Sequence, residues 1–302
     1  MGQFASSEGA RGGPRSVLIT GCSDGGLGAA LAMAFHSAGL HVYATARDIS
    51  KMKNLAASGI ETLELDVTSP SSIASCVGKL PSLDILVNNA AAMLTMTAAD
   101  VSIEEAKKVF DTNLWGAVQM CQAFLPLIIE SKGIIVNHTS IASVLPVPGG
   151  AAYAASKAAM SMYSAILRME VESFDVQVID LKTGTVGPTN LINNNYTRTA
   201  KHADDSVLPE GSCYQPAKHL LEPILRQDKF KGTGMRPAEW AKAVVGDLLN
   251  NTRPPPLIFR GHYVILAKVA AWLPFGALDG LVKKTTKFDQ VDAVLRQVAQ
   301  RT

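Results

Sequence analysis

Between Ser16 and Leu181 the chain alternates short apolar runs with amphipathic stretches of helical length. The runs fall at Ser16–Thr20, His41–Thr45, Glu61–Leu65, Leu83–Val87, Gly133–His138 and Val176–Leu181. Several are almost continuously apolar, as in Val17-Leu18-Ile19 and Ile134-Ile135-Val136, which predicts parallel strands buried on both faces. Six such runs separated by helix-length segments predict βαβ repeats. The fold class is therefore α/β, a Rossmann-type doubly wound parallel sheet with helices on both faces. Right-handed crossovers put the first strand at the centre, with the second and third to one side.

Beyond Leu181 the pattern changes. Residues 183–234 are polar, rich in Asn, Thr, Asp and Gly, and carry no strong period. So long a connection reads as a substrate loop. Arg236–Asn250 reads as a helix with Pro237 in its first turn. Three prolines (254–256) and a short strand candidate, Leu257–Phe259, follow. The remainder of the apolar C-terminal extension, 257–302, is helical in character and interrupted at Pro274. Residues 1–15 read as a disordered tail lacking the apolar core of a secretory signal. Gly2 sits in a loose N-myristoylation pattern. No linker or internal repeat appears, so 16–302 reads as a single domain with a C-terminal helical extension.

Composition narrows the functional classes. A 302-residue chain with a net charge of +2 lacks the basic surplus of a nucleic-acid binder. Cys22, Cys76, Cys121 and Cys213 are scattered, which suits reduced thiols and a cytoplasmic setting. The six histidines show no ligand spacing, so no metal is expected.

The first chemical signal follows the first strand, where Thr20-Gly21-Cys22-Ser23-Asp24-Gly25-Gly26-Leu27-Gly28 opens an Ala-rich helix. Glycines there permit a tight turn, close approach of backbone to a pyrophosphate, and close packing of helix on strand. At the end of the second strand, where an acidic residue would read the ribose of NAD, the chain has Arg47 followed by Asp48. A guanidinium fork suits the 2′-phosphate of NADP, so NADP(H) is the expected cofactor.

The second signal is Tyr153-Ala154-Ala155-Ser156-Lys157. Four residues apart on a helix, the phenol and the ammonium share a face. A phenol is a poor base at neutral pH, and a neighbouring cation is expected to lower its pKa.

These features, in this order, identify the chain as resembling the short-chain dehydrogenase/reductase family over roughly residues 16–188. They are the glycine turn at 20–28, Asp66-Val67, Asn88-Asn89-Ala90, Asn113, Ser140, Tyr153 and Lys157. The resemblance implies that Tyr153 is the general acid in carbonyl reduction and that Lys157 binds the nicotinamide ribose and lowers the tyrosine pKa. It implies that Ser140 hydrogen-bonds the substrate carbonyl and that Asn113 holds a water in a proton relay. Gly21, Ser23, Gly26, Leu27, Gly28, Arg47, Asp66, Val67, Asn89, Ala90, Val186 and Thr189 would join Tyr153 and Lys157 around the cofactor. The chain departs from the family pattern in a glycine turn one residue longer, in Ala91 after Asn-Asn-Ala, and in Thr183-Gly184 after the sixth strand. The Gly-Cys-Ser-x-Gly-Gly-Leu-Gly and Thr-Gly-x-Val forms are similar to a 1-acyl-dihydroxyacetone-phosphate reductase-like branch. The implied activity is NADPH-dependent reduction of a ketone or aldehyde in a fairly large apolar substrate, a lipid precursor or secondary metabolite. A redox-neutral epimerase or dehydratase and a non-catalytic NADP(H)-binding regulator stand as alternatives.

Three expectations remain. The apolar stretch within 257–287, with Trp272, Phe275, Lys283, Lys284 and Lys287, is interrupted by Arg260, Lys268, Pro274 and Asp279. It reads either as an interfacial contact with a membrane, at the endoplasmic reticulum or a lipid droplet, or as a pocket or homo-oligomer wall. His138 reads as structural or pocket-lining. Phe110 and Trp115, flanking Asn113, read as core.

Overall fold

The computed structural model describes residues 13–191, 206–228, 232–274 and 276–300. The Gly2 pattern, most of the predicted tail and Phe275 lie outside the described residues. In chain order the elements are β1 (Ser16–Thr20), α1 (Leu27–Ser37), β2 (His41–Ala46), α2 (Lys53–Ala57), β3 (Glu61–Glu64), α3 (Pro70–Val77) and β4 (Ile85–Asn88). Next come α4 (Ile103–Phe110), a π-helical turn (Asp111–Gly116), α5 (Ala117–Ser131), β5 (Ile134–Ser140), α6 (Ala151–Glu170) and β6 (Gln177–Thr183). The last are α7 (Lys218–Leu225), α8 (Pro237–Leu249), β7 (Leu257–Arg260), α9 (Val264–Ala270), α10 (Asp279–Thr286) and α11 (Phe288–Ala299).

The seven strands form one sheet in the order β3-β2-β1-β4-β5-β6-β7, paired in parallel throughout. Alternate residues of each strand enter opposite layers, as the pleat requires. Val17, Ile19, Val87 and Val136 pack with Phe35 of α1 and with Trp240 and Val244 of α8. Leu18, Leu86, Ile135 and Val178 pack with Ile73 of α3, Phe124 of α5 and Leu167 of α6. Both faces are covered at the centre of the sheet, and β1 and the start of β4 and β5 therefore read as apolar runs, whereas the edge strand β3 is partly exposed. A third cluster joins Leu221 and Leu225 of α7 to Val291 of α11.

The structure corrects several boundaries. β5 continues through Thr139 to Ser140 and β6 through Lys182 to Thr183, because these polar residues still pair across the sheet. β4 begins at Ile85 rather than Leu83, and β3 ends at Glu64. The connection 183–234 is not wholly irregular, since it carries α7, whose period is interrupted in sequence by Pro223. The Leu257–Phe259 candidate is a strand, extended to Arg260 and laid along β6.

Candidate active site

The C-terminal ends of β1, β4, β5 and β6 converge on one crevice, the place where a doubly wound sheet binds its ligand. The glycine turn builds its first wall. Gly21 has φ +75°, and a Cβ there would lie 2.8 Å from Cα of Ala90. A Cβ on Gly28 would lie 2.4 Å from the carbonyl oxygen of Gly21 and 2.6 Å from Nδ2 of Asn89. No side chain caps α1 at Gly26, which suits a phosphate at the positive end of the helix. The extra residue of the turn is docked outward. Asp24 donates its N–H to the Lys51 carbonyl (2.7 Å), and its carboxylate accepts from the Asn54 N–H (3.1 Å). Asn190 then closes over the turn by donating to the Asp24 carbonyl at 2.6 Å.

At the end of β2, Arg47 is exposed and lines the crevice, whereas Asp48 turns away. The Asp48 carboxylate accepts from the Ser50 N–H (2.9 Å) and hydroxyl (2.6 Å), and these bonds hold it below the ordinary carboxylate range. Asp66 accepts from the N–H and hydroxyl of Thr68. Asn89 donates to the Thr20 carbonyl (2.7 Å) and the Gly21 carbonyl (3.1 Å), tying β4 to the glycine turn.

Ser140 is the last residue of β5. Its Oγ accepts from the Ala142 N–H at 3.1 Å, and Ser143 returns a hydrogen bond to the Ser140 carbonyl at 2.7 Å. Tyr153 and Lys157 lie one turn apart on the buried face of α6, with the ammonium 5.9 Å from the phenol ring centroid. Lys157 donates to the His138 carbonyl at 2.8 Å. Burial lowers its pKa to about 8, partly offset by the negative charge of Asp180. The expected lysine-driven lowering of the tyrosine pKa is not what the geometry gives. Burial raises the Tyr153 pKa, and the opposing influence is a hydrogen bond with Ser140. The phenol is therefore held in its protonated form, the form a general acid requires.

Asn113 sits in the π-helical turn and is committed elsewhere. Its Oδ1 accepts from the Ala92 N–H (2.7 Å), and Nδ2 donates to the Ala92 carbonyl (2.9 Å) and to Ser156 Oγ (3.0 Å). Its amide clamps the segment after β4 to α6, leaving both amide protons engaged within the protein.

These walls enclose a cavity of about 900 Å³. Gly21, Ser23, Gly26, Leu27, Arg47, Asp66, Val67, Asn89, Ala90, Ser140, Tyr153, Lys157, Val186 and Thr189 all line it. Gly28 and Asn113 do not; the first packs behind the turn and the second beneath the helix. Beyond Ser140 and Tyr153 the cavity continues into a chamber between Leu145, Leu220, Ile224, Leu266 and Val282, with the polar Gln227, Asp228, Thr285, Lys287 and Gln290 also on its walls. Periodicity alone does not reveal this chamber, because its walls come from α7, α9 and α10.

His138 lines the cavity and bridges Asn89 Oδ1 (2.9 Å) and Thr183 Oγ1 (2.7 Å), stacked on Trp240 at 5.2 Å. Burial and the Lys157 charge lower its pKa to about 3, so it is neutral at ordinary pH. Trp115, expected in the core, is 53% exposed. Among the described residues no group of three or more His, Cys, Asp or Glu is placed to hold a metal.

Fold, glycine turn and the Ser140/Tyr153/Lys157 set together define a Rossmann-type dinucleotide-dependent oxidoreductase. The chain belongs to the short-chain dehydrogenase/reductase family, whose sequence profile (short chain dehydrogenase) matches residues 15–199. It is 47% identical over 282 residues to a short-chain dehydrogenase/reductase of Pestalotiopsis microspora, covering 93% of this chain and 97% of that protein. It is 42% identical over 286 residues to an NADPH-dependent 1-acyldihydroxyacetone phosphate reductase of Schizosaccharomyces pombe, covering 90% and 94% of the two. Among solved structures, a serine dehydrogenase in its closed form with NADP+ is similar, with a TM-score of 0.67 at 27% identity. That match covers 82% of this chain and 95% of the other.

Proposed function

We propose that the protein is an NADP(H)-dependent reductase that converts a ketone or aldehyde in a large, mostly apolar substrate to an alcohol. The observation that carries this reading is the junction at Tyr153. There a crevice with a glycine turn at one end meets a chamber with apolar side chains on its walls at the other, with Ser140 and Lys157 alongside. Held along the glycine turn, a bound NADPH would supply the hydride for the carbonyl carbon. Tyr153, kept protonated by burial, donates its proton to the carbonyl oxygen. Ser140 stabilises the negative charge developing on that oxygen. Lys157 holds the nicotinamide ribose with a cationic donor. The 2′-phosphate falls to Arg47, because the carboxylate of Asp48 is engaged by Ser50. The names of the Schizosaccharomyces pombe relative and of the serine dehydrogenase complex support the same cofactor. The former also makes an acylated keto-phosphate the first substrate to try.

The test is depletion of NADPH absorbance across a panel of keto-lipids and polyketide-like ketones, with Tyr153→Phe as control. That variant should bind NADPH normally and lose at least ~10² in kcat, the scale of general acid catalysis. Turnover without NADPH consumption would instead establish a redox-neutral reaction. Binding of NADPH without turnover of any carbonyl would leave a regulator.

The same reading extends to a partner surface. Ile265 (76% exposed), Val269 and Trp272 (91%) project outward from and just beyond α9, while Leu266 of that helix walls the chamber. Lys268 lies on the same helix, a cation next to exposed apolar side chains that suits an anionic bilayer. Among the described residues no helix is long and apolar enough to cross a membrane. A cytosol-facing membrane surface, such as endoplasmic reticulum or lipid droplet, therefore fits as a peripheral contact from which an apolar substrate enters. Flotation with vesicles containing anionic lipid should bring the protein up, and Ile265→Ser with Trp272→Ser should leave it at the bottom. Equal flotation of both would end the idea. A second copy of the chain suits the exposed strip Met162, Ile166 and Met169 on α6 with Trp115 nearby in sequence to α5.

A further inference from the structure

Behind the catalytic helix lies a buried charge cluster that the reaction scheme does not use. Asp180 and Lys182 are two residues apart on β6, so both point to the same face of the sheet, toward α6. Both are buried, and their charges meet at 2.7 Å. Lys182 Nζ also donates to Ser143 Oγ (2.8 Å) and Ser161 Oγ (2.7 Å), so each ammonium proton has an acceptor. Asp180 accepts from Ser161 Oγ at 2.6 Å and from Thr139 Oγ1. A buried ion pair is commonly no more stable than an apolar replacement. Stability alone is thus a weak reason for this one, and its connections point to another. Ser143 donates to the carbonyl of Ser140, and Ser161 lies one turn beyond Lys157 on α6.

We propose that Asp180 and Lys182 are a positioning pair. Their opposed charges set the electrostatic environment of the Lys157 ammonium, and their hydrogen bonds fix the Ser140–Ser143 turn against the catalytic helix. The inference rests on the reading of Lys157 as the cationic cofactor-binding residue. Lys157 lies over the Tyr153 ring on its own helix and donates to the His138 carbonyl on β5, while Asp180, paired with Lys182 on β6, acts on it through its charge. Tyr153 is protonated and His138 neutral at working pH. The cluster on β6 is therefore the source of charge that can favour or oppose the ammonium, and Asp180 acts in the favouring direction.

The experiment is competitive labelling of Lys157 with acetic anhydride across pH 6–11, located by mass spectrometry. It needs neither cofactor nor substrate. Asp180→Asn should move the Lys157 midpoint down by about one pH unit, and Lys182→Met should move it up by a similar amount. The double variant should fall between them. A structural role alone predicts shifts of one sign in all three, and that result overturns the proposal. Asp180→Glu and Lys182→Arg keep the charges and cover the case in which a charge-removing variant does not fold. Both should hold the midpoint within about 0.3 of wild type. A midpoint displaced by about one pH unit in them also overturns it. If the wild type reduces no carbonyl, the proposed function fails, and the labelling still decides this pair.

Discussion

Arg47 offers the sharpest single perturbation of cofactor choice. Its guanidinium stands exposed on the crevice wall, while the neighbouring carboxylate of Asp48 is saturated by Ser50. Only NADPH presents a phosphate at that position, so Arg47→Ala removes one charge-assisted contact from NADPH and none from NADH. Such contacts contribute about 1.5–3 kcal/mol when well formed. Exposure at the crevice rim favours the lower half of that range, about 1.5–2 kcal/mol, or roughly ten- to thirtyfold in Kd. Fluorescence titration should therefore show that loss for NADPH and less than about a twofold change for NADH. The wild-type preference should shrink in high salt, since an exposed pair is screened. Asp48→Ala should leave the cofactor preference where it is, its carboxylate being spoken for by a turn. Equal weakening of both cofactors by Arg47→Ala would show a structural arginine. A wild-type preference for NADH would refute the assignment.

Two further expectations follow from the geometry. Lys157, with a pKa lowered to about 8, should bind NADPH best below that pH and progressively less above it. Over the same window the unliganded protein should gain stability from this residue, because between about pH 8 and 10.5 the unfolded chain binds the proton that the folded one does not. Opposite pH slopes of NADPH affinity and melting temperature would check this, and parallel slopes would sink it. Gly28→Ala would drive its Cβ to 2.4 Å from a backbone oxygen, a clash no rotamer relieves, so it should destabilise the fold by about 1–3 kcal/mol and weaken NADPH binding. A variant melting like wild type would contradict the packing role of that glycine.

The sheet was legible in the sequence because both of its faces are covered at its centre, which makes β1 and the start of β4 and β5 read as apolar runs. Boundaries slipped where pairing outlasted hydrophobicity, as at Thr139-Ser140 and Lys182-Thr183. The crevice was legible because its residues sit at strand ends and on one helix face, where short spacings determine geometry. Three features were not. Burial, which sets the direction of the Tyr153 pKa, comes from residues distant in sequence rather than from the lysine four residues away. Asn113 spends its amide on Ala92 and Ser156, partners 21 and 43 positions distant. Asp180 and Lys182 look in sequence like the polar end of a strand, and nothing local reveals that α6 covers them. Trp115 misled in the opposite direction, because an aromatic in an amphipathic helix is assigned to the core by default.

The two halves of the cavity differ in how they are built, and the difference bears on where specificity resides. The half at the glycine turn is framed by close backbone approach and by buried side-chain hydrogen bonds. Gly21 touches Ala90, Asn89 ties β4 to β1, and His138 ties β5 to β4 and β6, so few substitutions are compatible with its shape. The chamber half is framed by side chains of α7, α9 and α10, and α7 is anchored to α11 through Leu221, Leu225 and Val291 in a cluster separate from the sheet core. Exchange of Leu220, Ile224 or Leu266 alters chamber volume without touching Tyr153, so the chemistry can stay while the substrate changes. The C-terminal segment cannot be removed to test this. β7 pairs with β6 along the sheet edge, and Val282 closes the chamber, so a chain ending before Leu257 loses an edge strand and a wall together. Point substitutions divide the two roles cleanly. Leu266 faces the chamber and should change KM for the carbonyl substrate, whereas Ile265 and Trp272 face outward and should change only vesicle binding.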